Sequence, residues 1–158
     1  MRKRVIRTAP METEPSEQGW LDLEEMAQVE VTSEDAACPI EAALIPGEEL
    51  GWRAAQPGPQ TIRLFFDRPQ RLSRVWLLFT EADTERTQEF VLRWSPDGGR
   101  SFRDIVRQQW NFGPPNNIRE VEDYRVELSG VTALEMAIVP DRSGGEARAS
   151  LARWRLAG

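Results

Sequence analysis

At 158 residues, 40% of them hydrophobic, the chain is long enough to bury roughly 70% of its unfolded surface in one domain. Its formal charge of −6 disfavours nonspecific association with nucleic acid, and no apolar run approaches the ~20 residues of a membrane span. The single cysteine, Cys38, excludes an intrachain disulfide and a cysteine zinc site, and the lack of histidine removes every His base, triad and metal site.

Catalysis would have to run on carboxylates, arginines, hydroxyls or the lone Tyr124, so the expectation is a binding protein, not an enzyme. Residues 1–18 read as a tail, basic up to Arg7 and then acidic at Glu12, Glu14 and Glu17 among Pro and Ser. The basic start lacks the apolar core of a signal peptide, so the chain is expected in the cytoplasm. One domain, 19–158, follows.

From Gly19, "WLDL" and "MAQVEVTS" are short alternating runs, and "EDAACPIEAALIPGEELGW" is irregular or holds a short helical turn. Regular strand patterns then succeed one another between turn signals. "TIRLFFD" (61–67) sets Ile62, Leu64 and Phe66 on one face. "LSRVWLLF" (72–79) is apolar on both faces, as a covered central strand should be. "EFVLRWS" (89–95), "SFRDIVRQQW" (101–110), "REVEDYRVEL" (119–128), "TALEMAIV" (132–139) and "RASLARWRL" (148–156) complete the series. Acidic alternation in "EVED" (120–123) is that of a solvated strand. Many strands and almost no amphipathic helix predict an all-β sandwich.

"SPDGGRSF" (95–102) reads as a β-hairpin turn, with Asp97 bonding nearby backbone N–H groups, Gly98 and Gly99 supplying positive φ, and Phe102 returning to the core. Trp52, in "GWRAAQPGPQ", is expected in the core. Taken in order, "GW", "PQTIRLFFDRPQRLSRVWLLF", "WSPDGGRSF" and "RASLARWRL" resemble the discoidin or coagulation-factor C-type domain of the galactose-binding-like superfamily, over residues ~28–156. The resemblance implies a jelly-roll sandwich of about eight antiparallel strands that binds without catalysing. It also implies a calcium loop before Trp52. Here that loop reads "IPGEELGW", and the late Glu that completes the family's metal site falls near Arg153. No cofactor is therefore expected, although Glu48 and Glu49 could offer carboxylates to calcium.

If the strands alternate in direction, the 67–71 turn, "SPDGG" and Ser129-Gly130 share one end of the sandwich. Loops 81–88, 110–118 and 140–147 then share the other, which gathers Arg86, Gln88, Trp110, Asn111, Phe112, Asn116, Asn117, Asp141 and Arg142 as candidate ligand contacts. A ring such as Trp110 can stack on a sugar face while Asn, Asp and Arg exchange bonds with its hydroxyls. The opposing reading has Trp110 and Phe112 capping the open end of the core, with Pro114-Pro115 stiffening the turn. Two ligand classes stand open: a carbohydrate or related polyol, or a protein partner docking on these loops or on a strand edge.

Overall fold

The structure, a computed structural model, describes residues 1–3, 19–48 and 50–158. The tail expected over 1–18 thus falls, for 4–18, outside the described residues. In chain order the elements are α1 (Leu23–Met26), β1 (Ala27–Val31), α2 (Glu41–Leu44), β2 (Trp52–Arg53), β3 (Gln60–Thr80), β4 (Arg86–Ser95), β5 (Arg103–Phe112), β6 (Arg119–Val139), β7 (Ser150–Leu151) and β8 (Arg153–Ala157).

Two of these strands are far longer than expected, 21 residues each. The runs predicted as 61–67 and 72–79 are one strand, β3, and those predicted as 119–128 and 132–139 are one strand, β6. The two pair antiparallel along both halves, Gln60 to Phe65 against Ile138 to Ala133 and Val75 to Thr80 against Tyr124 to Arg119. Between the halves the register slips three times, from Phe65 to Arg74. Residues 67–71 and Ser129-Gly130 are therefore facing corners, not hairpin reversals. Their turn chemistry is real: Pro69 has no N–H to give to a ladder, and Gly130 takes φ +67°. It serves to carry both strands from one layer to the other.

One layer is ordered β1, first half of β3, second half of β6, β4, β5; the other is β8, second half of β3, first half of β6. Inward alternation from both fills the core. Ile62, Leu64 and Phe66 of the first half of β3 join Leu72, Val75, Leu77 and Phe79 of its second half, with Phe90, Leu92, Met136, Trp154 and Leu156. Phe79 stacks on Phe90 at 5.2 Å, one ring from each layer. Each such side chain contributes about 1.5–3 kcal/mol by leaving water. Helix α2 packs against β8, and its Ala43 and Leu44 join the core, as does Trp52, whose Nε1 donates to Ser33 O at 3.0 Å.

Because the corners turn the chain between layers, they place the ends as a reversal would. Ser150 Oγ donates to Thr80 O, while the adjoining Ala149 accepts from Ala54 and Arg148 bridges Gly58. Both ends of β3 thus lie together. At the opposite end, the hairpin 96–102 leans on the corners: Gly98 N donates to Thr132 Oγ1 at 2.7 Å, and Gly99 lies against the Phe65 ring. Within that hairpin Asp97 accepts from Ser95 Oγ, Ser101 Oγ and Ser101 N, which holds its carboxyl down at about 2. Phe102, expected in the core, lies half-buried beneath Arg63.

Candidate functional site

The end that gathers loops 81–85, 113–118 and 140–149 is organised around one side chain. Arg86 opens β4 and is 3% exposed. Its Nε donates to Glu81 Oε1 at 2.7 Å, and its Nη1 to Pro140 O at 2.8 Å and Gln88 Oε1 at 3.1 Å. Its guanidinium also lies 4.7 Å from the centre of the Phe112 ring, at the end of β5. One buried cation therefore ties all three connections together. Burial alone would raise the Glu81 carboxyl, but Arg86 and the N–H groups of Asp83 and Thr84 outweigh it and hold it below the ordinary carboxylate range.

The loops are each fixed locally as well. Asp141 accepts from Ser143 N and Ser143 Oγ at 3.1 and 2.8 Å, and these bonds, against a burial effect of opposite sign, keep its carboxyl ionised below its usual range. Arg142 N donates to Thr87 O, tying this loop to β4. Asn116 N and Asn117 N both donate to Gly113 O, closing a tight turn, and Asn117 Nδ2 donates to Asn111 O. Thr87 Oγ1 donates to Asn111 Oδ1 at 2.9 Å.

Three adjoining hollows open over this frame. The largest, about 450 Å³, is lined by Glu85, Arg86, Thr87, Asn111, Phe112, Asp141 and Ser143. A second, about 370 Å³, shares Asp141 and Ser143 and adds Arg53, Glu81, Thr84 and Arg148. The third, about 250 Å³, continues past Arg53 and Arg148 to Cys38 and Leu50.

Of the residues expected here, Arg86, Asn111, Phe112 and Asp141 meet in one hollow. The others go elsewhere. Trp110, Asn111 and Phe112 belong to strand β5, not to a loop, and Arg86 and Gln88 belong to β4. Phe112 is 1% exposed and Gln88 wholly buried. Trp110 pairs with Gln88 across the ladder and packs half-buried against the core with its indole Nε1 shielded, so the reading in which these rings cap the core describes their positions. Arg142 reaches over the outer face of the sheet to Gln109 Oε1 and Glu89. Asn116 and Asn117 are exposed on the turn beyond the hollows.

The acidic run at 120–123 is not the alternation of a solvated strand. Glu120 and Glu122 face inward with Tyr124, and Glu120 has no exposed surface. Gln88 Nε2 donates to Glu120 Oε1 at 2.9 Å, and Tyr124 Oη donates to Glu122 Oε2 at 2.7 Å. Burial, then the hydrogen bond and charge of Glu122, push the Glu120 carboxyl up to about 9, so Glu120 keeps its proton at neutral pH. Burial also raises the Tyr124 phenol.

The sequence reading assigned no ligand role to Arg53, Thr84, Ser143 and Arg148, all of which line the hollows. The paired strands β2 and β7 bring Arg53 and Arg148 there from positions 95 residues apart (148 − 53). Nothing in local pattern signals such a meeting.

No protein-family model matches the chain, and neither does any curated protein. Solved structures do resemble it. The family 32 carbohydrate-binding module of NanJ from C. perfringens, determined with galactose, is 14% identical with a TM-score of 0.64, covering 87% of this chain and 97% of that one. The module CpGH89CBM32-5 from Clostridium perfringens, determined with GalNAc-β-1,3-galactose, is 19% identical with a TM-score of 0.62, covering 84% and 95%. The family 32 module of AlyQ, determined with 4,5-unsaturated mannuronic acid, is 13% identical with a TM-score of 0.59, covering 82% and 92%. Two layers of antiparallel strands, the corner-turning pair β3 and β6, and this likeness agree: the chain has a discoidin-like jelly-roll fold.

Proposed function

We propose that this chain is a non-catalytic carbohydrate-binding module, taking a saccharide or related polyol across the loop end of the sandwich. The observation that carries the reading is the set of hollows built around Arg86. Their walls present amide, hydroxyl, carboxylate and guanidinium groups, from Asn111, Thr87, Ser143, Asp141, Arg53 and Arg148. This mixture of donors and acceptors is what a ring of hydroxyls requires. The likeness to modules determined with sugars lends support from the fold. Contact in this reading is polar, with the Trp110 ring serving the frame beneath.

The buried acids do not make a hydrolase. Glycoside hydrolysis sets two carboxyls roughly 5–9.5 Å apart on either side of the bond to be cut. Glu120 and Glu122 instead stand two positions apart on one strand, both buried inside the sandwich. Nor does the outer sheet face offer free cations to a phosphate backbone. Arg63 and Arg93 share Glu135, and Arg107 and Arg142 share Glu89. Leu50 and Ile118 are the exposed large apolar side chains among residues 19–48 and 50–158 and make no extended docking patch.

A glycan array probed with the full chain tests the proposal, followed by titration of the best ligand into Asn111→Ala and Arg53→Ala. Loss of one neutral hydrogen bond is worth about 1 kcal/mol, or about fivefold in affinity, and loss of one to a charged group up to about 3 kcal/mol. An array without binding, or affinity untouched by both substitutions, would sink the assignment.

A further inference from the structure

The resemblance to discoidin-type domains implies a calcium ion held by the loop before Trp52 and completed by a carboxylate on the last strand. The donor set here does not fit one. Strand β8 carries Arg153 and Arg155 and no carboxylate. In the loop, Glu48 is exposed and Glu49 lies outside the described residues. Calcium needs six to eight oxygens, and two guanidinium groups on the facing strand supply none and repel the ion.

A side-chain cation already does the anchoring. Arg155 is 3% exposed, and its Nη1 donates to Ala43 O at 2.9 Å and to Trp154 O at 3.1 Å. Ala43 lies in the last turn of α2, where carbonyls have no partner within the helix and cationic donors are favourable. The bond spans 112 positions, so it closes the segment after α2 onto the last strand. Two further contacts fix the far end of that segment. At Gly51, φ is +69° and the place of a Cβ is only 2.7 Å from Ala152 Cα and Leu151 O, so backbone lies directly on backbone. Trp52 is held through its Nε1 by Ser33 O.

We propose that the Arg155 guanidinium replaces a bound metal ion as the anchor of α2 and of Gly51-Trp52, so that the packing of these residues and of the neighbouring hollow does not depend on divalent cations. The anchor is independent of what the hollows bind, so this inference and the proposed function fail separately.

The test is thermal unfolding of the full chain in EDTA and in millimolar calcium chloride, with amide hydrogen exchange followed across 41–53. The expected result is one melting temperature in both media. Arg155→Met should lower it in both and speed exchange at 41–53 more than at β4 and β5. Should Arg155→Met fail to fold, Arg155→Lys, which keeps the charge but loses the planar fork, should show the same local loosening. A melting temperature of the unaltered chain that drops in EDTA or climbs with calcium overturns the proposal, as does unchanged exchange at 41–53 in a folded Arg155 variant.

Discussion

The proton held by the buried Glu120 makes the stability of the fold depend on pH in a window where this chain has little else to titrate. With no histidine, no side chain of ordinary imidazole pKa contributes between about pH 5.5 and about 7.5. Glu120 holds its proton up to about 9 in the folded chain, against an ordinary value of 4.5 once unfolded. Across the window the native state therefore binds one proton more than the unfolded state, and raising the pH favours unfolding. One proton gives a slope of about 1.4 kcal/mol per pH unit, so stability should fall by roughly 2–3 kcal/mol from pH 5.5 to 7.5. The carboxyls held below their ordinary values, Glu81, Asp97, Asp123 and Asp141, act at lower pH and do not enter. Glu120→Gln keeps the shape and can still meet Gln88 and Glu122, but has no proton to lose. It should flatten the profile and exceed the unaltered chain at the upper end by about the same amount. Urea unfolding followed by tryptophan fluorescence at several pH values reads both quantities. A flat profile in the unaltered chain, or an equally steep one in Glu120→Gln, would refute the raised Glu120 carboxyl.

Arg86→Met should cost about 3–5 kcal/mol in chemical denaturation, because Glu81 keeps its charge while Pro140 O and Gln88 Oε1 lose their donor; Arg142→Ala, whose pair with Glu89 is exposed, should cost no more than about 1 kcal/mol. Gly51→Ala should cost about 3 kcal/mol, from its left-handed backbone and the unyielding contact with Ala152 together, and Gly144→Ala, at φ +87° in open space, only about 1–2 kcal/mol by the same measurement.

Much of this architecture could be read from alternation. Period-two runs located every main strand of both layers, and the glycines of "SPDGG" named their hairpin. The errors share a cause. Pattern reading takes an apolar residue as inside and a polar one as outside, and punctuates strands at Pro and Gly. Pro69 and Gly130 carry turn chemistry, yet they sit in strands that bend without reversing, because a bulged corner and a hairpin ask for the same residues. Arg86, Gln88, Glu120 and Glu122 are polar and buried. Some of their partners lie far off in sequence, 54 positions for Arg86 to Pro140 and 32 for Gln88 to Glu120, so no local window contains all the evidence that they are satisfied.

That buried polar layer also changes what the loop end means. Polar residues at strand ends read as a surface waiting for a ligand, yet two of them, Arg86 and Gln88, hold the surface up from beneath. A cation that bonds Glu81 and Pro140 while lying on Phe112 sets the spacing of three loops at once, whereas side chains standing on those loops can vary without disturbing it. Substitutions at Arg86 or Trp110 should therefore move stability and binding together. Substitution of Arg53 should move binding with little change in stability. Substitutions at Asn111 or Ser143, whose side chains also bond Thr87 and Asp141, should cost stability no more than about 1 kcal/mol, and that separation tells a contact residue from a residue of the frame.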